Sequence, residues 1–346
     1  RHACHWNDPS WPTAVNFTGS WPHYARDARA FVDWEVDYVK LDDCGPWHDT
    51  PRALVSNFSQ ALRDYASRQK HHVWLNLGGP FQIGSETSGI SSPDDDDDDD
   101  HDNAIADEPD KNMSCRMASG SWCAESADSF RVWDDHHDDW ESTKEVIEHG
   151  LGESRRAWYG SGADADFLFT GGQGCGNHSA PGERCPGQTD REYTTSFSIW
   201  SLFSGQLVFA TDPRNMSALQ RKLWLNQDIL DVVRNSPESL ADVIVFKNKS
   251  TAVFVRPLVA EGEAVVALFN GDDGIVRSVG LRWRDVPKLG WGDDTSLETL
   301  DLWTKDVSSS VLGGIAIAVA PHSTVVLRLR PAKQITTRSK TDPLLP

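Results

Sequence analysis

The sequence predicts two fold classes in one chain: an α/β region built on a parallel sheet, then an antiparallel β-sandwich. Over the first two thirds, helical runs alternate with short apolar strands, which implies crossover helices and a sheet either closed as a barrel or doubly wound. From about Leu240 the pattern changes to short alternating or β-branched runs separated by turn residues, the mark of a sandwich. The chain has 346 residues, enough for two cores. The expected domains are 1–238 and 239–332, with a polar tail at 333–346.

Taken in order, a helical stretch around Arg26 to Trp34 leads into a strand, Val36 to Asp42. A second helix, Arg52 to Arg68, has Leu54, Phe58 and Leu62 at four-residue spacing and leads into Val73 to Leu77. Further strands are expected at Phe130 to Asp135, Asp164 to Phe169 and Leu207 to Asp212, with helices near Trp140 to Glu148 and Thr189 to Phe203. That makes five strands, where a closed barrel of this type has eight. In the last third VIVFKN, TAVFVRPL, EAVVALFN, IVRSVGLRW and STVVLRLRP read as strands, joined by NKS, EGE and GDDG. Two segments read as insertions: the run of aspartates Asp94 to Asp100, expected to be a solvated loop, and the Gly- and Pro-rich Gly171 to Thr189.

Composition narrows the function. A formal net charge of -19 opposes binding to nucleic acid or anionic membranes. No apolar run approaches the ~20 residues that span a bilayer. The start, RHACHW, carries neither a methionine nor a signal-like apolar stretch and reads as a processing product or a truncation. Six cysteines and six Asn-x-Ser/Thr sequons, at Asn16, Asn57, Asn112, Asn177, Asn215 and Asn248, point to the secretory pathway. Candidate cysteine pairs are Cys4 with Cys44, Cys115 with Cys123 and Cys175 with Cys185, the last two closing short loops. Fifteen tryptophans supply flat faces suited to sugar rings, although most tryptophans serve packing.

Two segments carry chemistry. In VDYVKLDDCG, Val36 to Gly45, strand alternation puts Lys40 and Asp42 on one face and Val39 and Leu41 on the other. At the carboxyl end of a barrel strand such a pair reads as a nucleophilic carboxylate beside a cation, and equally as a structural ion pair. In FRVWDDHHDDW, Phe130 to Trp140, Arg131, Trp133 and Asp135 share parity, and Asp135 could partner Asp42. Two carboxylates flanking a bond, one attacking and one protonating, are what glycoside hydrolysis requires. His136, His137, Asp138 and Asp139 lack the spacing of a known metal-ligand set, no CxxC occurs, and Asp138 and Asp139 suit a helix start. No metal is expected.

KLDDC resembles the KYDNC nucleophile motif of family 27 glycoside hydrolases, the α-galactosidase and α-N-acetylgalactosaminidase family. The upstream run from Cys4 to Lys40 is similar to TC…PGS…DA..FA.WGVDYLK, FRVWDDHHDDW to WRTTGDI.D.W, DADFL to DPDML, and Thr189 to Ser217 to TDEEYRTHFSLWALMKSPLLIGNDLRNMS. AVFVRPL, VVALFN, LDLWTKD and VAPHSTVVLRL follow the family's order in the sandwich. The resemblance implies a partial (β/α)8 TIM barrel, about its last five strands, followed by the antiparallel β-sandwich. It implies Asp42 as nucleophile, Asp135 as acid/base, Lys40 and Arg131 as substrate-binding residues, and a Cys4–Cys44 disulfide. The expected activity is that of a retaining α-glycosidase, first of all an α-galactosidase, acting without a cofactor on oligosaccharides or glycoconjugates in an extracellular, vacuolar or lysosomal setting. Carboxylates about 5–5.5 Å apart are expected for this chemistry. Two departures stand out. The chain starts after the family's third strand, and NLGGP, Asn76 to Pro80, replaces a CEW-like sequence. They keep open a related α-glycosidase, such as an α-N-acetylgalactosaminidase, or an inactive carbohydrate-binding homologue.

Overall fold

The computed structural model describes residues 23–42, 51–78, 122–131, 133, 135–151, 162–169, 187–203, 207–210, 213–235, 242–247 and 250–332. The chain divides into two compact units, Arg1–Val243 and Ile244–Pro346, so the boundary falls inside the first strand of the sandwich.

The first unit begins with helix α1 (Tyr24–Asp33), whose buried Ala28 and Val32 recur at four-residue spacing. It ends where Glu35 turns left-handed at φ 57° and hands the chain to β1 (Tyr38–Leu41). Helix α2 (Pro51–Arg68) buries Val55, Phe58 and Leu62, and Phe58 meets the rings of Tyr24 and Phe31 edge-on, which fastens α2 to α1. Then follow β2 (Trp74–Leu77), α3 (Trp122–Ser126), β3 (Ser129–Arg131), α4 (Trp140–Glu145) with a π-helical continuation Val146–Leu151, and β4 (Gly162–Asp164). Helices α5 (Asp190–Phe203), α6 (Ala218–Trp224) and α7 (Gln227–Arg234) complete the unit.

The four strands form one parallel sheet in sequence order, β1-β2-β3-β4. Between Leu168 and Phe209 runs a single parallel bridge, where the sequence suggests a fifth strand. Register makes the sheet two-faced. Leu41, Leu77, Phe130 and Ala163 align in one row, and the last three are buried. The rows on either side place Lys40, Asn76 and Ser129, and then Asp42, Gly78, Arg131 and Asp164, on the opposite face. Polar groups therefore line one face at the carboxyl ends of the strands, while the other is apolar. The expected strand Phe130 to Asp135 is shorter than predicted: β3 stops at Arg131, and Asp135 stands in the loop beyond it.

The second unit is a sandwich. Strands β5 (Asp242–Lys247), β6 (Thr251–Pro257), β7 (Ala264–Asn270), β9 (Ser296–Asp301), β10 (Val307–Leu312) and β12 (Ser323–Pro331) form a six-stranded sheet in the order β10-β9-β12-β7-β6-β5. Facing it, β8 (Arg277–Arg282) pairs with β11 (Gly314–Val319). Val253, Val255, Val266, Leu268, Leu327 and Leu329 pack against Val279, Leu281 and Val319, with Trp283 and Trp291 filling the core. The chain crosses from one sheet to the other at Gly313, whose φ of 70° favours a residue without Cβ. Strands β9, β10 and β11 escape the sequence reading, the last two because VSSSVL and GIAIAV hold too many small residues to show strong alternation. No helix among the described residues is long and apolar enough to cross a membrane.

Candidate active site

Lys40 ends one row of the polar face and Asp42 begins the next, so the pair follows from two-residue alternation on β1. Lys40 Nζ lies 3.7 Å from Asp42 Oδ2, and Asp42 keeps 55% of its side chain exposed. The ammonium also stands 5.6 Å from the centroid of the Phe167 ring, itself 40% exposed beyond β4. Gly78, just after β2, donates its N–H to Leu41 O at 2.9 Å.

Arg131 is the hub of the second constellation. Its side chain is 1% exposed, and Nη2 donates to Asp166 Oδ2 at 2.6 Å and to Asp135 Oδ1 at 3.0 Å. Asp135 is 65% exposed and thus combines an anchored carboxylate with an open side. Asp166 holds a left-handed backbone, φ 71°, unusual for a residue with Cβ. Its carboxylate accepts from the His136 N–H at 2.9 Å, its carbonyl accepts from Trp200 Nε1 at 2.9 Å, and its own N–H donates to Asp164 Oδ1 at 2.8 Å. These bonds hold the strained residue under Arg131.

Beneath lies a buried polar layer. Asn76 Nδ2 donates to Ser129 Oγ at 2.7 Å and to Asp164 Oδ2 at 2.9 Å, and Trp74 Nε1 donates to the same serine at 2.9 Å. Burial raises the Asp164 pKa above the usual carboxylate value, opposed by the Arg131 cation.

The acidic and histidine run after β3 serves structure. Burial lowers the His136 pKa to about 4, so the ring is neutral near pH 7. Its Nδ1 donates to Phe167 O at 2.7 Å, which leaves Nε2 as an acceptor for the Thr143 hydroxyl at 2.9 Å. Thr143 then has no proton for the Gln188 amide 3.1 Å away, so that amide turns its NH2 toward Thr143. Asp138 accepts from Tyr193 OH at 2.8 Å, and Asp139 caps α4 by accepting from Ser142 N at 2.7 Å. Among the described residues, no three His, Cys, Asp or Glu side chains gather as a metal site.

Both predicted pairs, Lys40 with Asp42 and Arg131 with Asp135, thus stand at the carboxyl ends of strands of one sheet. Asp164, Asp166 and Phe167 were not singled out as site residues from the sequence, whereas Asn76 and Gly78 belong to the NLGGP segment that the sequence marks as a departure. For Asp164 and Asp166 the signal was present: two aspartates two apart in DADFL at a strand end. Cys123 is buried and disulfide-bonded. Cys4, Cys44, Cys115, Cys175 and Cys185 lie outside the described residues. Asn57 is exposed on α2 and Asn215 falls in a 3-10 turn, while Asn16, Asn112, Asn177 and Asn248 lie outside the described residues.

Comparison with known proteins bears on this site. Residues 248–329 match the family described as the α-galactosidase C-terminal β-sandwich domain. The chain is 23% identical over 305 residues to α-galactosidase 2 of Arabidopsis thaliana, covering 88% of this chain and 63% of that protein. It is 25% identical over 320 residues to the α-galactosidase of Coffea arabica, covering 90% of this chain and 68% of that one. Among solved structures, a GH27 β-L-arabinopyranosidase from Geobacillus stearothermophilus superposes with a TM-score of 0.66 at 21% identity, covering 96% of this chain and 66% of that one. α-Galactosidase I of Mortierella vinacea gives 0.64 at 17% identity, covering 90% and 72%. The fold is therefore that of a (β/α) barrel region followed by a β-sandwich, and the chain spans about three fifths of the length of the first of these relatives.

Proposed function

We propose that this chain, similar over most of its length to α-galactosidases, carries the catalytic carboxylates of a retaining α-glycosidase that releases terminal α-linked galactose. One observation carries the reading: Asp42 beside Lys40 and Asp135 beside Arg131 both stand at the carboxyl ends of one parallel sheet, each carboxylate more than half exposed. Strands β1 and β3 are two spacings apart, roughly 10 Å between backbones, and the reading requires the two carboxylates to approach to the ~5–5.5 Å of retaining enzymes.

In this mechanism Asp42 attacks the anomeric carbon as Asp135 gives its proton to the departing glycosidic oxygen. An ester between Asp42 and the sugar results. Asp135, now a carboxylate, takes a proton from water as that water attacks the same carbon, and the Asp42 carboxylate leaves. Lys40 donates to sugar hydroxyls beside Asp42, and Arg131, buried against Asp166, holds positive charge beside Asp135. No cofactor enters the balance. The sequons and cysteines support a place in the secretory pathway, outside the cell or in a vacuolar or lysosomal compartment.

The test uses the full-length protein and aryl glycosides. Asp42→Asn is expected to abolish turnover of an aryl α-galactoside. Asp135→Ala is expected to retain the first step with a nitrophenolate leaving group, to slow the second, and to be rescued by azide with retained configuration. Equal loss in both variants without azide rescue, or a first-formed β-anomer by NMR, would overturn the roles. An aryl β-L-arabinopyranoside belongs in the same panel, because the arabinopyranosidase neighbour acts on a sugar with galactose ring stereochemistry and no C5 hydroxymethyl. Faster turnover of that glycoside would move the specificity there while leaving the mechanism intact.

A further inference from the structure

Gly78 occupies the position after β2, in the row between Asp42, just after β1, and Arg131 on β3. Its φ is not among the positive ones, so backbone freedom does not explain the glycine. Space does. A Cβ built there would lie 2.2 Å from Lys40 Cε, 3.1 Å from Lys40 Nζ and 3.1 Å from Asp42 Oδ1. The first of these distances is far inside van der Waals contact, so the Lys40 stem fills the volume that a side chain at residue 78 would take. The backbone cannot yield easily, because the Gly78 N–H is bound to Leu41 O at 2.9 Å. On the far side Lys40 is flanked by the exposed Phe167 ring, 5.6 Å from Nζ to centroid.

We infer that Gly78 is a positioning residue: its missing side chain is the slot through which Lys40 crosses β2 to hold its ammonium beside Asp42 and against Phe167. It acts through Lys40 and reaches the sugar only by way of that ammonium. The inference rests on the glycosidase reading for its kinetic consequence and on the geometry alone for its structural one. Any side chain at residue 78 competes with Lys40 for one volume, so the two positions must be energetically coupled.

The experiment is a double-mutant cycle with a second, activity-independent readout on the full-length protein. Gly78→Ala is expected to lower kcat/KM for the aryl α-galactoside by about tenfold or more, since small displacements at a reacting centre have effects of this order. In a Lys40→Ala background the same change is expected to alter kcat/KM less than about twofold, because the stem that clashed is gone. Independently, acylation of Lys40 by an amine-reactive ester, read by peptide mass spectrometry, is expected to be faster in Gly78→Ala than in the wild type. Additive effects in the cycle together with unchanged Lys40 labelling would overturn the inference. If the wild type turns over no glycoside, labelling alone decides: faster labelling upholds the slot while the catalytic reading fails, and unchanged labelling removes both. A thermal midpoint unchanged in Gly78→Ala excludes a general loss of fold as the cause of either result.

Discussion

Lys40 and Asp42 were readable because charges at two-residue spacing beside an apolar run announce a strand with a chemical face, and Arg131 and Asp135 because they share parity in FRVWDD. Asp166 was harder to recognise. Its importance comes from a left-handed backbone and a bond to Arg131 from another strand, and neither leaves a local trace. His136 is a sealed, neutral core residue. That environment makes a pH prediction. Its native pKa is about 4 and its ordinary value 6.5, so between these the unfolded chain binds a proton that the native state refuses. Its contribution is full above 6.5 and is lost as pH falls from there toward 4. Denaturation midpoints measured across that range are expected to fall more steeply for the wild type than for His136→Asn; equal slopes would show that the ring is not held neutral.

At the scale of elements, helix limits follow from short-range chemistry. Thr189 and Glu192 bond reciprocally at the start of α5, Asp139 caps α4, and Ser217 with Gln220 forms a capping box on α6. Ser217→Ala is expected to cost about 1 kcal/mol of unfolding free energy, because the Gln220 N–H loses the Ser217 hydroxyl that caps α6. Urea unfolding of the pair of proteins measures this, and a change below about 0.3 kcal/mol would show that α6 is held by packing alone. Strand limits were less legible. β3 was expected to run to Asp135 and stops at Arg131, since parity along FRVWDD cannot reveal where parallel pairing with β2 and β4 runs out.

For the molecule as a whole, the excess of 52 acidic over 33 basic residues is a repulsive load on the compact state. Raising salt from 0.01 to 0.1 M shortens the screening length from about 30 to about 10 Å, so the thermal midpoint is expected to rise over that range. A midpoint that falls instead would mean that attractive pairs such as Arg330 with Glu298 and Arg328 with Glu263 outweigh the net repulsion.

By itself the sequence determined the two fold classes, four of the seven α-helices among the described residues, most of the strands, and four residues of the candidate site. Each of these depends on periodicity or adjacency within one segment, which the chain carries locally. The tertiary structure decided what depends on juxtaposition across strands. It brought Asp166 beneath Arg131, Asn76 onto Ser129 and Asp164, and the Lys40 stem into the volume left empty at Gly78. Parallel register puts residues about 35 to 90 positions apart side by side on one face, and a segment read alone carries no record of which segment will be its neighbour.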